Sequence, residues 1–360
     1  MRTARRIAAV ALAVALASTL SLAAIGEQKE KVMAAKDGAP RKVVVGSLMY
    51  NMFHPYPGLE ERLGELGEWI DKMAAVAEQK YPGCGLDIVA LPEIAVNGGL
   101  NGSAAEVSFP LEGAVLDAMG AKAREHNCYV TVPMYLTEDA EKGLYTNATV
   151  LLDRKGEVAG IYRKVYAVII PGTGKLEGGV MPGKDFPVFE CDFGRVGIQI
   201  CFDMAYDAGW EVLGRKNAEL VIWTTQSPGQ IKAAFRAMRN DYYVLTSTWR
   251  NNASLFDPTG HKIAEIRGRD GVLVEQVDLE YMLLGWQRDL RNGAAFDEKY
   301  GDRAGYRYSE AEDGGIFWSN DPAKPIKQMV RELGLDLKGH AVEESRKIQD
   351  KLRGGPPSLD

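Results

Sequence analysis

From residue 42 onward the chain alternates short β-branched runs with segments of helical apolar period, an order that few architectures accommodate. Lys42–Tyr50 reads as a strand. Gly58–Lys80 follows with Leu59, Leu63, Leu66, Ile70, Met73 and Val76 at helical spacing. Asp87–Leu91 is a short apolar run stopped by Pro92, Glu112–His126 is helical again, and Tyr129–Tyr135 returns as a strand. Hairpins interrupt the alternation: Thr146–Leu152 with Val158–Tyr162, and Phe186–Cys191 with Arg195–Cys201. Tyr206–Lys216, Leu220–Thr224, Gly229–Asn240 and Tyr242–Thr248 then read as helix, strand, helix and strand, before a turn at Asp257–Gly260. Helix-separated parallel strands mixed with hairpins predict a layered α/β domain and not an all-parallel barrel.

The pattern weakens after about residue 285. Residues 286–360, rich in charge, glycine and aromatics, read as a C-terminal extension, an extended arm lying on the domain or at a subunit interface. At the other end, Arg2, Arg5 and Arg6 precede the apolar run Ile7–Ala17, with small residues at Ala23 and Ala24. That arrangement reads as a secretory signal peptide over residues 1–24, followed by a polar linker over 25–41. The expectation is a periplasmic or secreted protein, without stable membrane insertion after processing.

Composition closes other classes. The chain is 46% hydrophobic and 26% charged, which excludes disordered and collagen-like polymers. Its 43 basic and 49 acidic residues give a net charge of −6, no electrostatic footprint for nucleic acid. Four His and four Cys are scattered without C-x-x-C or H-E-x-x-H spacing, which argues against a zinc site. Gly178–Lys184 imitates a phosphate loop, but Asp185 stands where the metal-binding hydroxyl belongs and no helix follows. Gly172-Thr-Gly174 is an equally weak dinucleotide signal, and no G-x-S-x-G elbow is present.

What survives is a set of reactive residues at strand ends, where open α/β sheets place their sites. Glu93 follows Asp87–Pro92, Lys164 follows Gly160–Arg163, and Cys201 closes Val196–Ile200. Taken singly, each has a plain reading: a solvated carboxylate, a surface lysine, a packed thiol. Taken together, Leu91-Pro-Glu93, Tyr162-Arg-Lys164 and Ile200-Cys-Phe-Asp203 resemble the three signature segments of the nitrilase (carbon–nitrogen hydrolase) superfamily, in the family's order. Glu177, 24 residues before Cys201, is similar to a second glutamate of the family's amidases. The likeness runs from about Lys42 to about Leu279, so the catalytic domain is expected over 42–285.

The resemblance implies a four-layer α-β-β-α sandwich, no metal or cofactor, and a homodimer or higher homo-oligomer. It implies Cys201 as nucleophile, Glu93 as general base, Lys164 as oxyanion support and Glu177 as their partner. The backbone N–H of Phe202 would be the second oxyanion donor. The substrate would be a small amide or carbamoyl compound. Cys201-Phe-Asp203 resembles amidases and carbamoyl hydrolases more than true nitrilases, which usually carry Cys-Trp-Glu. An acyltransferase using the same thioester, or a catalytically silent binding module, stays open. So do the roles of Trp249, Arg250 and Thr224–Gln226, which suit a pocket or packing equally. Export would permit a Cys84–Cys128 disulfide across one sheet edge, although two separate buried thiols is the favoured reading.

Overall fold

The structure is a computed structural model that describes residues 40–358. The expected signal peptide and nearly all of the expected linker lie outside the described residues. In chain order the first half holds β1 (Lys42–Met49), α1 (Leu59–Lys80), β2 (Ile88–Ala90), α2 (Ala104–Val107), α3 (Ala114–Glu125), β3 (Tyr129–Asp139), β4 (Leu144–Leu152) and β5 (Val158–Arg163). The second half holds β6 (Val188–Glu190), β7 (Arg195–Ile200), α4 (Asp207–Arg215), β8 (Leu220–Thr225), α5 (Gln230–Asn240) and β9 (Tyr243–Thr248). Then follow β10 (Asn251–Phe256), β11 (Lys262–Gly268) and β12 (Gly271–Asp278).

The sheet order is β5-β4-β3-β2-β1-β9-β8-β7-β6, but β1 and β9 touch only at Met49 and Thr248. The continuous ladder therefore folds into two facing halves. Strand period dictates the layers. Val43 and Val45 of β1, with Ile88 and Ala90 of β2, meet Ile198, Ile200, Ile222 and Leu245 of the other half in an inner core. Their neighbours Val44, Leu48 and Val89 point outward against Leu63, Leu66, Ile70 and Met73 of α1 and Met119 of α3. On the far side Val221 and Val244 pack on Trp210 and Leu213 of α4 and Ala233 and Ala237 of α5. The result is the expected helix–sheet–sheet–helix sandwich.

Two expectations need correction. The C-terminal extension is not an extended arm. It starts at β13 (Tyr281–Gly285), inside the range assigned to the catalytic domain. It continues through α6 (Ala294–Tyr300), β14 (Ala304–Ser309), β15 (Gly314–Ser319), α7 (Ile326–Glu332) and α8 (His340–Arg353). Strands β13, β15 and β14 form a separate antiparallel sheet. Alternation explains it: Leu283, Ile316 and Trp318 pack on the main domain, while Leu284 and Phe317 join Phe296, Tyr300, Ile326 and Met329 in a core of their own. Arg41, counted with the linker, is tied into the domain by bonds to Glu219 and to the Leu279 and Phe193 carbonyls.

The second correction concerns the cysteines: the favoured reading of two separate thiols holds, but not the burial of both. Cys84 and Cys128 are both free, and Cys84 is exposed. The turn carrying Cys84 leans across β1 toward β12, where Gln276 Nε2 donates to its sulfur at 3.8 Å. Cys128 lies under α1 and α3 in the outer core.

Candidate active site

Topology brings the nominated residues together. Strands β1, β2 and β3 are mutually parallel, as are β7, β8 and β9, and β1 meets β9 in parallel. Their C-terminal ends therefore share one edge of the sandwich. Strand β5 reverses twice from β3, through antiparallel β4, and so ends at that edge too. Glu93 after β2, Lys164 after β5 and Cys201 after β7 are neighbours for this reason.

Glu93 and Lys164 are each 1% exposed. Lys164 Nζ donates to Glu93 Oε1 at 2.9 Å and to Glu177 Oε1 at 2.6 Å, so one ammonium bridges both carboxylates. Asn147 Nδ2, on β4, spans the same two carboxylates at 3.0 and 3.3 Å. The second oxygen of Glu93 accepts the Gln226 backbone N–H at 3.2 Å. The Cys201 thiol lies within electrostatic reach of Glu93, Lys164 and Thr225.

Each side chain is held by its backbone. Lys164 N–H donates to the Asn147 carbonyl and its own carbonyl accepts Gly183 N–H, both at 2.8 Å. A Cβ at Gly183 would lie 2.1 Å from the Arg163 carbonyl oxygen, so only glycine fits there. Glu177 opens a short turn whose N–H bonds the Val168 carbonyl at 2.7 Å. Cys201 has φ 41° and Ile94, directly after Glu93, has φ 46°. Non-glycine residues rarely adopt this region, and the strain of about 1–3 kcal/mol is typical of functional turns. Asp203 secures the Cys201 turn: its carboxylate accepts Ile200 N–H, Tyr166 N–H and the Tyr162 hydroxyl at 2.9, 2.9 and 2.7 Å. Trp249 Nε1 donates to the Glu93 carbonyl at 2.8 Å. The buried Arg62 of α1 reaches the Ala95 carbonyl at 3.1 Å.

Burial and charge set the protonation states. Burial opposes the Lys164 ammonium, yet Glu93, Cys201 and Glu177 around it hold its pKa above the ordinary lysine range. The Cys201 thiol is pushed up to about 12, by burial first and then by Glu93, with Lys164 pulling the other way. The resting nucleophile is therefore a neutral thiol beside Glu93, not a thiolate. Burial, then Glu177 and Glu93, also hold the Tyr135 phenol neutral.

All four nominated side chains thus occupy one site. Phe202 stands in the first turn after Cys201, where an N–H has no partner within its own turn, and its ring is exposed. Thr225, Gln226 and Trp249 support the site, whereas Arg250 is exposed. Sequence reasoning missed Asn147. The available signal was a polar amide inside the apolar strand Thr146–Leu152, since buried polar groups need partners. Among the described residues, Asp71, Glu125 and His126 could gather around a metal, but Lys122 Nζ already bonds both carboxylates.

Residues 57–283, well over half of the chain, match the family model described as carbon-nitrogen hydrolase. The chain belongs to this family and is a carbon–nitrogen hydrolase. An omega-amidase of Xenopus tropicalis is 26% identical over 59% of this chain and 82% of that protein. An apolipoprotein N-acyltransferase of Geobacter metallireducens is 24% identical over 80% of this chain and 56% of its own length. Among solved structures, a carbon-nitrogen hydrolase from Helicobacter pylori G27 superposes with a TM-score of 0.55 at 16% identity, covering 67% of this chain and 90% of that one. That likeness concerns the fold.

Proposed function

We propose that the protein is an exported amidase-type hydrolase that cleaves a non-peptide amide or carbamoyl C–N bond through a thioester on Cys201. The observation that carries this reading is the buried Lys164 ammonium bridging Glu93 and Glu177, with the Cys201 thiol within reach of both Glu93 and Lys164. Glu93 takes the thiol proton as sulfur attacks the substrate carbonyl, because a thiol pushed up to about 12 cannot ionise unaided near neutrality. The carbonyl oxygen gains the negative charge, which Lys164 and the Phe202 N–H stabilise. The C–N bond then breaks, Glu93 returns the proton to the departing nitrogen, and amine or ammonia leaves. Water, deprotonated by Glu93, attacks the thioester; the C–S bond breaks and the thiol regains its proton. Glu177 and Asn147 hold Lys164 and Glu93 in register throughout.

A second reading, acyl transfer from the same thioester to an amine, is favoured by the 80% of this chain that matches the N-acyltransferase. One assay separates them. Incubation with simple amides, with and without an added amine acceptor, should release ammonia and free acid in water alone. Hydrolysis seen only as a trace beside rapid transfer would favour the second reading. No acyl product under either condition would refute both.

A further inference from the structure

Large apolar side chains left in water cluster at the edge that carries the site. Phe53 follows β1, Phe202 and Tyr206 follow β7, and Ile169, Ile170 and Met181 lie on the segment between β5 and β6. Phe53 and Ile169 are each 63% exposed and Met181 52%, large apolar side chains left in water along one edge. Most neighbour a residue that holds the site. The Phe53 ring stands edge-on to Trp249 at 5.0 Å, and Trp249 holds the Glu93 carbonyl. Phe202 is next to the nucleophile and meets Tyr206 edge-on at 5.8 Å; Tyr206 stacks on Tyr166, two residues beyond Lys164, at 3.8 Å. Ile169 and Ile170 follow Val168, whose carbonyl fixes the Glu177 N–H, and Met181 N–H bonds the carbonyl of Tyr145.

Polar groups line the reacting centre, and the segments beside it carry these exposed apolar groups. A small hydrophilic amide would use the first and leave the second in water. A substrate with a hydrocarbon tail would use both, and its carbonyl must sit at Cys201 with the tail crossing the rim beyond Phe202. Resting on the amide-hydrolase reading above, we infer that the substrate is an amide whose acyl portion is a long hydrocarbon chain, bound along this rim.

The test is an acyl-length series from acetyl to decanoyl p-nitroanilide, run beside a series of N-alkyl acetamides of increasing amine length. Burying each methylene on an open rim should raise kcat/KM by roughly two- to fourfold along the acyl series, up to the span of the rim. Ile169→Ser and Phe53→Ser should each lower the ratio of long-chain to short-chain kcat/KM by about tenfold, the loss of most of one apolar contact. Unchanged melting temperatures would show that these variants fold. Short anilides cleaved as well as long ones, gains only along the amine series, or a preference for amides bearing a free carboxylate would overturn the inference and leave the hydrolase reading standing. Absence of acid product and of acylated Cys201 with every member of both series would overturn the hydrolase reading along with it.

Discussion

At Cys201 the chemistry rests on a proton that has not yet moved. Because burial and Glu93 push the thiol up to about 12, its neutral form dominates through the physiological range and thiolate grows only as pH climbs toward that value. Alkylation of Cys201 by iodoacetamide in the resting protein should therefore keep rising to beyond about pH 10, since the thiolate is the reactive form. A plateau beginning near neutrality would reveal a preformed thiolate and contradict the general-base role of Glu93. Asp203, beneath the nucleophile, titrates where it can be followed, because burial pushes it up from 3.8 to about 6. The folded chain thus binds this proton more tightly than the unfolded one. Its contribution to stability is full below the unfolded value and is lost as pH rises through about 6. Asp203→Asn should flatten that part of the profile of melting temperature against pH. It should also cost about 1–3 kcal/mol at all pH, because the amide nitrogen cannot accept and leaves the Ile200 or Tyr166 N–H unpaired. An Asn variant with the wild-type profile would sink this assignment. Glu93, Lys164 and Cys201 were legible in the sequence because each follows a strand and their three segments together resemble the nitrilase signatures. Asn147 was not, because its value depends on two carboxylates brought in from elsewhere in the chain, Glu93 after β2 and Glu177 in a turn.

Elements decide how firmly those residues are aimed. The helical period of α1 predicts its apolar face but not Arg62, which is fully buried beside Leu63 and Leu66. Its guanidinium bonds Glu65 at 2.9 Å and, at 3.1 Å, the Ala95 carbonyl of the turn that presents Glu93. Arg62→Leu keeps the bulk and removes both bonds. It should lower stability by about 1–3 kcal/mol through the orphaned carbonyl and lower kcat more than it raises KM. Chemical denaturation and initial rates together check this, and an unchanged kcat would show that the turn is aimed by other contacts. Element existence and order were legible from periodicity. The fold-back of β1 against β9, the separate sheet β13-β15-β14 and the exposure of Cys84 were not. Each depends on which faces meet in space, and two strands of like pattern offer no local cue to their partner.

For the whole molecule, a second apolar region lies on the outer face of α5. Ile231, Phe235 and Met238 form a stripe on the outer face of α5, beside a groove of about 1000 Å³ closed by Trp286, Leu337 and Val342. Helix α8 buries none of its residues and leaves Val342, Ile348 and Leu352 exposed. A helix this short is marginal without tertiary packing. We therefore expect a homodimer in which these faces cover one another, as the family resemblance implies. Light scattering on the purified protein should give twice the monomer mass. Phe235→Glu should give the monomer, since a buried unpaired charge is costly. A monomeric wild type would remove the interface.

The covalent role of Cys201 is tested most directly by intact-protein and peptide mass spectrometry of Glu93→Gln protein mixed with an activated acyl substrate. Glutamine removes the Glu93 charge that pushes the thiol up and leaves Lys164 pulling it down, so an activated acyl group can still reach Cys201. But glutamine cannot activate the second water, so the acyl group should accumulate on the Cys201 peptide alone. Turnover of amides should fall by roughly 10²–10⁴, the usual worth of general acid–base catalysis. Cys201→Ala protein should show neither adduct nor turnover. Adduct on another residue, or full amide hydrolysis by purified Cys201→Ala protein, would contradict the assignment.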